Sequence, residues 1–179
     1  MSEVLSPTAR VRLEIQGFGH VPDDLLIQAG LWLRLPFMVY AFLGLLGTIF
    51  LSPWLLWVMV PLGAAGAAYP VHPVDRVYNR WFRTVTGTGS LPPRAAPSRF
   101  AHGMLAACFL VAGLGFWEEI ETIGYAAGWT ATGLTVLTSA TNICVPSIVY
   151  RGIFGFSKGT AEWRRSPELR HDARASQRD

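Results

Sequence analysis

The chain has 179 residues, a formal net charge of +3 and 51% hydrophobic residues, a length that suits one domain. Charge is clustered: positions 35–69, 100–117 and 122–150 contain no Asp, Glu, Lys or Arg. Basic patches that abut long apolar runs argue against nucleic acid and for a negatively charged membrane surface as the partner of the arginines.

Residues 1–24 mix Glu3, Arg10, Arg12, Glu14, Asp23 and Asp24 with two prolines, and lack the apolar core of a signal peptide. They read as a polar, loosely held arm. Asp23 and Asp24 look like the N-cap and first-turn acid of a helix that begins near Leu25. Leu25 to Leu35 reads as an interfacial lead-in, with Arg34 snorkelling to the headgroups.

Four spans are expected, at about 36–51, 54–69, 100–117 and 123–150. Ser52–Pro53 turns the first hairpin, and Glu118, Glu119 and Glu121 mark the turn of the second. Each of the first two spans is short against the roughly 20 residues of a perpendicular crossing, so flanking residues must contribute. Gly63 to Ala68 are all small, which permits close backbone approach. Pro146 is the expected kink in the long fourth span. From position 156 a basic tail follows, read as partly disordered.

Between the hairpins, Pro70 to Arg99 holds five arginines and one acid, Asp75. Val74, Val77, Tyr78, Trp81, Phe82 and Val85 recur with helical spacing, while Arg76, Arg80 and Arg83 fall on the opposite face. That pattern predicts an amphipathic helix over 73–85 lying in the headgroup plane, with these three arginines binding the membrane surface. The basic segments are the arm, this stretch and the tail; both hairpin turns lack basic residues. Four alternating spans put all three basic segments on one side, so the positive-inside rule places both termini in the cytoplasm, across a cell inner membrane. The expected fold class is all-α: an integral membrane four-helix bundle of two hairpins with an interfacial helix between them.

Three stretches, LSPWLLWVMVPLGAAGAAYPVHPVDRVYN, LPPRAAPSRFAHGMLAACFL and NICVPSIVYRGIFG, resemble in order and spacing a bacterial family of small four-helix membrane proteins, the domain of unknown function 4395 (DUF4395). The resemblance covers roughly residues 30 to 155. In many members the last span carries a Cys-x-x-Cys pair; here Cys144 stands at the first position and Ser147 at the second. The departure argues against a thiol–disulfide role.

Pro146 cannot donate a backbone hydrogen bond and so frees the carbonyl of Asn142. Asn142, Cys144, Ser147 and Thr138 form a candidate polar pocket for a quinone headgroup, a lipid or a metal. Interhelical hydrogen bonding that simply holds the bundle is the preferred account. His102 and His72 are candidate ligands for haem, metal or pigment, but they lack a ligand spacing. The acidic cluster at 118–121 reads as solvated. No catalytic constellation or metal set is present in the sequence pattern, and no cofactor is named by it. The expected role is therefore a non-catalytic accessory or structural subunit beside other membrane proteins. The alternatives are a thiol/quinone redox component using Cys144 and a haem- or pigment-binding protein using His102.

Overall fold

A computed structural model describes residues 5–87 and 89–155. The order is α1 (Pro7–Leu13), a π turn (Glu14–Phe18), α2 (Asp23–Ile49), α3 (Pro53–Ala68), α4 (Pro73–Val77), a second π turn (Tyr78–Phe82), α5 (Arg83–Thr86), α6 (Ala96–Trp117), α7 (Glu121–Thr141) and α8 (Val145–Phe154). Among the described residues the fold is all-α. The four long helices form a ring in which α2 packs on α3, α3 on α6, α6 on α7 and α7 back on α2. Every neighbour in that ring is antiparallel, as two hairpins require. Helices α2 and α6 are each long and apolar enough to cross a membrane by themselves. The other two reach that length only with the segment that follows: α3 with Pro73–Val85, bent by 81°, and α7 with α8, bent by 92°.

Small residues set the helix spacing. An added Cβ at Gly63 would lie 2.9 Å from the Ala106 Cβ, and one at Gly115 would lie 2.5 Å from the backbone nitrogen of Gly124. Phe37, Tyr40, Leu56, Met59, Leu105, Phe109 and Phe116 fill the space between, all buried. The two hairpin turns are alike. At each, a left-handed residue follows the helix, Leu51 (φ 45°) and Glu119 (φ 58°). The next N–H returns to the helix, from Ser52 to the Gly47 carbonyl at 2.9 Å and from Ile120 to the Gly115 carbonyl at 2.8 Å. That is the Schellman closure of a helix C-terminus.

Three expectations are corrected. The lead-in is not a separate interfacial segment: α2 runs unbroken through Pro36, and Leu26, Ala29 and Leu33 face inward. They do so because the arm is folded over them: Leu13, Phe18 and Val21 from the arm, with Tyr78 and Leu91, close a second apolar cluster at the basic end. Nor is the fourth span one helix to Tyr150. It stops at Thr141, where Asn142 takes a left-handed conformation (φ 59°), and Pro146 opens α8 in its first turn instead of kinking a continuous helix. The tail expectation falls outside the described residues.

Candidate functional site

The most unusual chemistry lies where the ring meets the basic end, in a cluster of buried polar groups. The segment between α3 and α4 delivers His72, α4 delivers Asp75, and the approach to α6 delivers Arg94. All three are at most 2% exposed. Arg94 grips Asp75 with two bonds, Nε to Oδ2 at 2.6 Å and Nη2 to Oδ1 at 3.0 Å. The same Nη2 donates to the Leu33 carbonyl at 3.1 Å, and Nη1 reaches the Ser98 hydroxyl at 3.5 Å. A fork of donors with this many acceptors is the arrangement in which a buried ion pair is tolerated.

His72 caps α4: its Nδ1 accepts from the Val74 N–H at 3.2 Å. Nε2 therefore carries the hydrogen and donates to the Tyr40 oxygen, 2.9 Å away. Burial, and after it the Arg94 cation, pushes the His72 imidazole down to about 3, so it is neutral at physiological pH. His102, on α6, stacks with Phe37 at a centroid distance of 5.0 Å and lies 4.5 Å from the His72 ring. Both nitrogens of His102 are buried without a hydrogen-bond partner.

The sequence pattern separates His72 from His102 by 30 positions; the fold brings their rings together. It does so where small Gly66 faces both, since a Cβ there would lie 2.9 Å from His72 Nε2 and 3.0 Å from His102 Cγ. The pair has little to offer a metal. Both His72 nitrogens are engaged, and no group of three or more His, Cys, Asp or Glu capable of holding an ion exists among the described residues.

The second set lines the break between α7 and α8. Thr138 donates to the Leu134 carbonyl at 2.8 Å and the Ile143 carbonyl at 3.1 Å. The Asn142 carbonyl accepts from Gln16 Nε2 in the arm at 2.8 Å. Cys144 is the N-cap residue of α8; its sulfur lies 3.1 Å from the Ser147 hydroxyl, which also donates to the Pro97 carbonyl at 3.1 Å. The Thr138 and Ser147 hydroxyls and the Asn142 backbone carbonyl are thus engaged in bonds at the break or across it. Pro97 and Ser98, adjacent in the first turn of α6, link this set to the Arg94 group. Both cysteines are free thiols, Cys108 half-buried on α6 and Cys144 buried.

Arg76, Arg80 and Arg83 are exposed on the short helical stretch, with Arg76 over the Tyr69 ring at 5.2 Å. Val77, Trp81 and Val85 project outward beside them, at 53%, 72% and 83% exposure, while Tyr78 on the same expected apolar face is buried against Trp32. Glu118, Glu119 and Glu121 are all exposed.

Residues 32–154 match the family model described as a domain of unknown function, DUF4395. The chain belongs to the DUF4395 family. No curated protein and no solved structure matches it. The DUF4395 match begins inside α2 and ends with α8, so it contains Tyr40, His72, Asp75, Arg94, His102 and the whole α7–α8 break. It leaves out the arm that supplies Gln16.

Sequence reasoning missed Tyr40, Arg94, Ser98 and Gln16, and passed over Asp75. One signal was available: Asp75 is the single acid among five arginines between positions 70 and 99. The structure pairs that acid with Arg94.

Proposed function

We propose that this DUF4395 protein is a four-span integral membrane protein of the bacterial inner membrane, with both termini cytoplasmic. We propose for it a non-catalytic role as an accessory or structural subunit beside other membrane proteins. One observation carries the reading: the ring of long helices turns large apolar side chains outward, around a largely apolar core that also holds buried polar ones. Phe42, Trp54, Val58, Leu110, Val111, Leu114, Trp129 and Val136 are exposed, whereas Thr48, His102, Thr132 and Thr135 are buried. Water as the solvent favours the reverse, and lipid favours this. Trp54, Trp57 and Trp117 cluster at the turn end, with centroids 5.3 to 5.7 Å apart, as an interfacial belt does. At the other end the stripe of Val77, Trp81 and Val85, with Arg76 and Arg80 alongside, suits insertion at an anionic surface.

At 16 residues α3 is about 24 Å long, short of the roughly 30 Å hydrocarbon core, so its crossing relies on its flanks or on local thinning. Reporter fusions test the arrangement. Those after residues 52 and 121 should report outside, and those after 88 and 165 inside. A cytoplasmic report at 121 would end the four-span reading.

A second reading has one observation in its favour, the unpartnered His102. A haem or pigment ligated by that nitrogen would give a visible absorption band in gently purified protein; the accessory role leaves the spectrum of the polypeptide alone. The thiol/quinone reading gains nothing from Cys144, which is held against Ser147 with no second thiol in contact among the described residues.

A further inference from the structure

The arm and the first three turns of α2 flank a groove of about 340 Å³, within the roughly 300–1,000 Å³ typical of small-ligand sites. On the α2 side Ile27, Gly30, Leu31 and Arg34 follow at spacings of three, one and three, so they share one face. Helix α1 contributes Ala9 and Leu13, and the end of α7 contributes Asn142. Gly30 leaves the floor open, since an added Cβ there meets nothing within 4 Å.

Arg34 and Asn142 belong to one end of the groove, because Arg34 Nη1 reaches the Ser139 carbonyl in the last turn of α7. Their hydrogen-bonding capacity is not used up there. That Nη1 bond is long at 3.4 Å, Nε is buried without a partner, and Nη2 bonds no described residue. Nor does a described carboxylate pair with Arg34: Asp23 is taken by Arg10 at 3.0 Å and Asp75 by Arg94. The carbonyl end of α7 carries only about half a negative charge, and Arg12 already caps it at Thr141, so Arg34 keeps positive charge for an incoming group. Asn142 adds an independent sign of a ligand. It is 8% exposed, and its backbone is engaged with Thr138 and Gln16, but its carboxamide bonds no described residue. A buried carboxamide without a partner is costly and calls for one.

We propose that this groove binds one small aliphatic carboxylate, held between the Arg34 Nη2 edge and the Asn142 amide, with its chain over Gly30 toward Leu13 and Leu26. A carboxylate only accepts, and a guanidinium and an amide NH2 both donate, so the two ends match in charge and in hydrogen bonding. The rest of the lining is aliphatic except for the Ser6 hydroxyl, which caps α1. It holds no aromatic ring to stack on a flat ligand and no acid to repel an anion. The choice of a soluble acid over a lipid rests on the four-span reading, which turns the polar end of the groove toward the spans and its apolar end toward the cytoplasm. A phospholipid has the opposite order along the membrane normal.

Calorimetric titration of the full chain in phosphatidylcholine nanodiscs with octanoate, the heat of empty nanodiscs subtracted, tests the site. The wild type should bind one equivalent, about tenfold more tightly than it binds the uncharged octanamide, the difference made by a charge-assisted contact. Gly30→Leu fills the open floor without displacing a neighbour and should abolish binding. Arg34→Gln should bring octanoate down to the level of octanamide. Asn142→Gly keeps the left-handed backbone that ends α7 and removes only the carboxamide, so it should weaken octanoate severalfold. No saturable binding, equal binding of acid and amide, or octanoate unaffected by Gly30→Leu would overturn the proposal. So would loss of octanoate binding in phosphatidylglycerol nanodiscs, since a lipid would then be the occupant. A chain that needs no detergent for extraction would refute the four-span reading, yet octanoate bound to it and lost in Gly30→Leu would still support the groove.

Discussion

The two ends of the helical ring are built on different principles. At the turn end, α2 passes to α3 and α6 to α7 through matching Schellman closures, with Trp54, Trp57 and Trp117 beside them and no buried charge. At the basic end a buried Arg94–Asp75 pair, a Tyr40–His72 bond and several arginine-to-carbonyl bonds do the joining. Arg12 reaches the Thr141 carbonyl at 2.8 Å, Arg99 the end of α3, and Arg151 the Ile15 carbonyl at 3.2 Å. The chain ends of α3 and α7 both point to the basic side, where the negative ends of their dipoles attract cations. The arginines of this side therefore have two uses. Arg76 and Arg80 face outward, the pair to which the proposed function gives a membrane surface, while Arg12, Arg94, Arg99 and Arg151 tie helix ends together. A positive-inside count treats the two kinds alike, and only the fold separates them.

The comparison is broken most directly at Arg94. Arg94→Ala leaves the Asp75 carboxylate buried without its cation, and should cost about 3–5 kcal/mol. The paired replacement Arg94→Met with Asp75→Leu should cost far less, since no charge is stranded. Unfolding in detergent, followed by circular dichroism, reads both. A single variant as stable as the double would mean that the pair is not load-sharing at that end.

Acid sharpens the contrast. His72 is held neutral in the fold down to about 3 and titrates at its ordinary 6.5 when unfolded. Above 6.5 both states are neutral and the group contributes no pH dependence. As pH falls from 6.5 toward 3 the unfolded chain binds the proton first, so stability is lost by up to about 1.4 kcal/mol per pH unit. His72→Asn retains a side-chain acceptor for the α4 cap and should flatten that part of the profile. An identical acid profile in the variant would remove His72 from the account.

Much of this was legible in the sequence, and unevenly so. The charge-free runs marked the helices, the helical spacing of Val77, Trp81 and Val85 marked the short basic-end stretch, and the small residues at 63–68 marked a close approach. All three signals are local in the chain. The joints of the basic end are not: Gln16 meets Asn142 across 126 positions and Arg151 meets Ile15 across 136. No periodicity announces such a pair. The expectation of a loose arm over 1–24 fails in its described part for the same reason, because Leu13 and Phe18 look unremarkable until Leu26, Leu33 and Tyr78 are seen to receive them. The α7–α8 break was misplaced by a competing cue. Pro146 suggests a kink in a continuous helix, whereas proline is equally at home in the first turn of a new one. Asn142, a residue that tolerates the left-handed region, was the stop signal.

The smallest effect expected lies at the turn end, and its sign is positive. Glu119 occupies the left-handed position that follows α6, at φ 58°, where a side chain with a Cβ is strained and glycine is not. It also sets a carboxylate at the negative end of the α6 dipole, beside Glu118. Glu119→Gly relieves both, so it should stabilise the folded chain by about 0.5–1 kcal/mol. Leu51 holds the matching place after α2, at φ 45°, without the charge. Leu51→Gly should therefore gain only the backbone share, less what its apolar side chain contributes in the turn. Measured side by side in the same detergent, the two variants separate strain from charge. If Glu119→Gly gains no more than Leu51→Gly, the dipole contributes nothing at this turn. If Glu119→Gly loses stability, the Schellman closure there depends on the glutamate side chain and the likeness of the two turns is superficial.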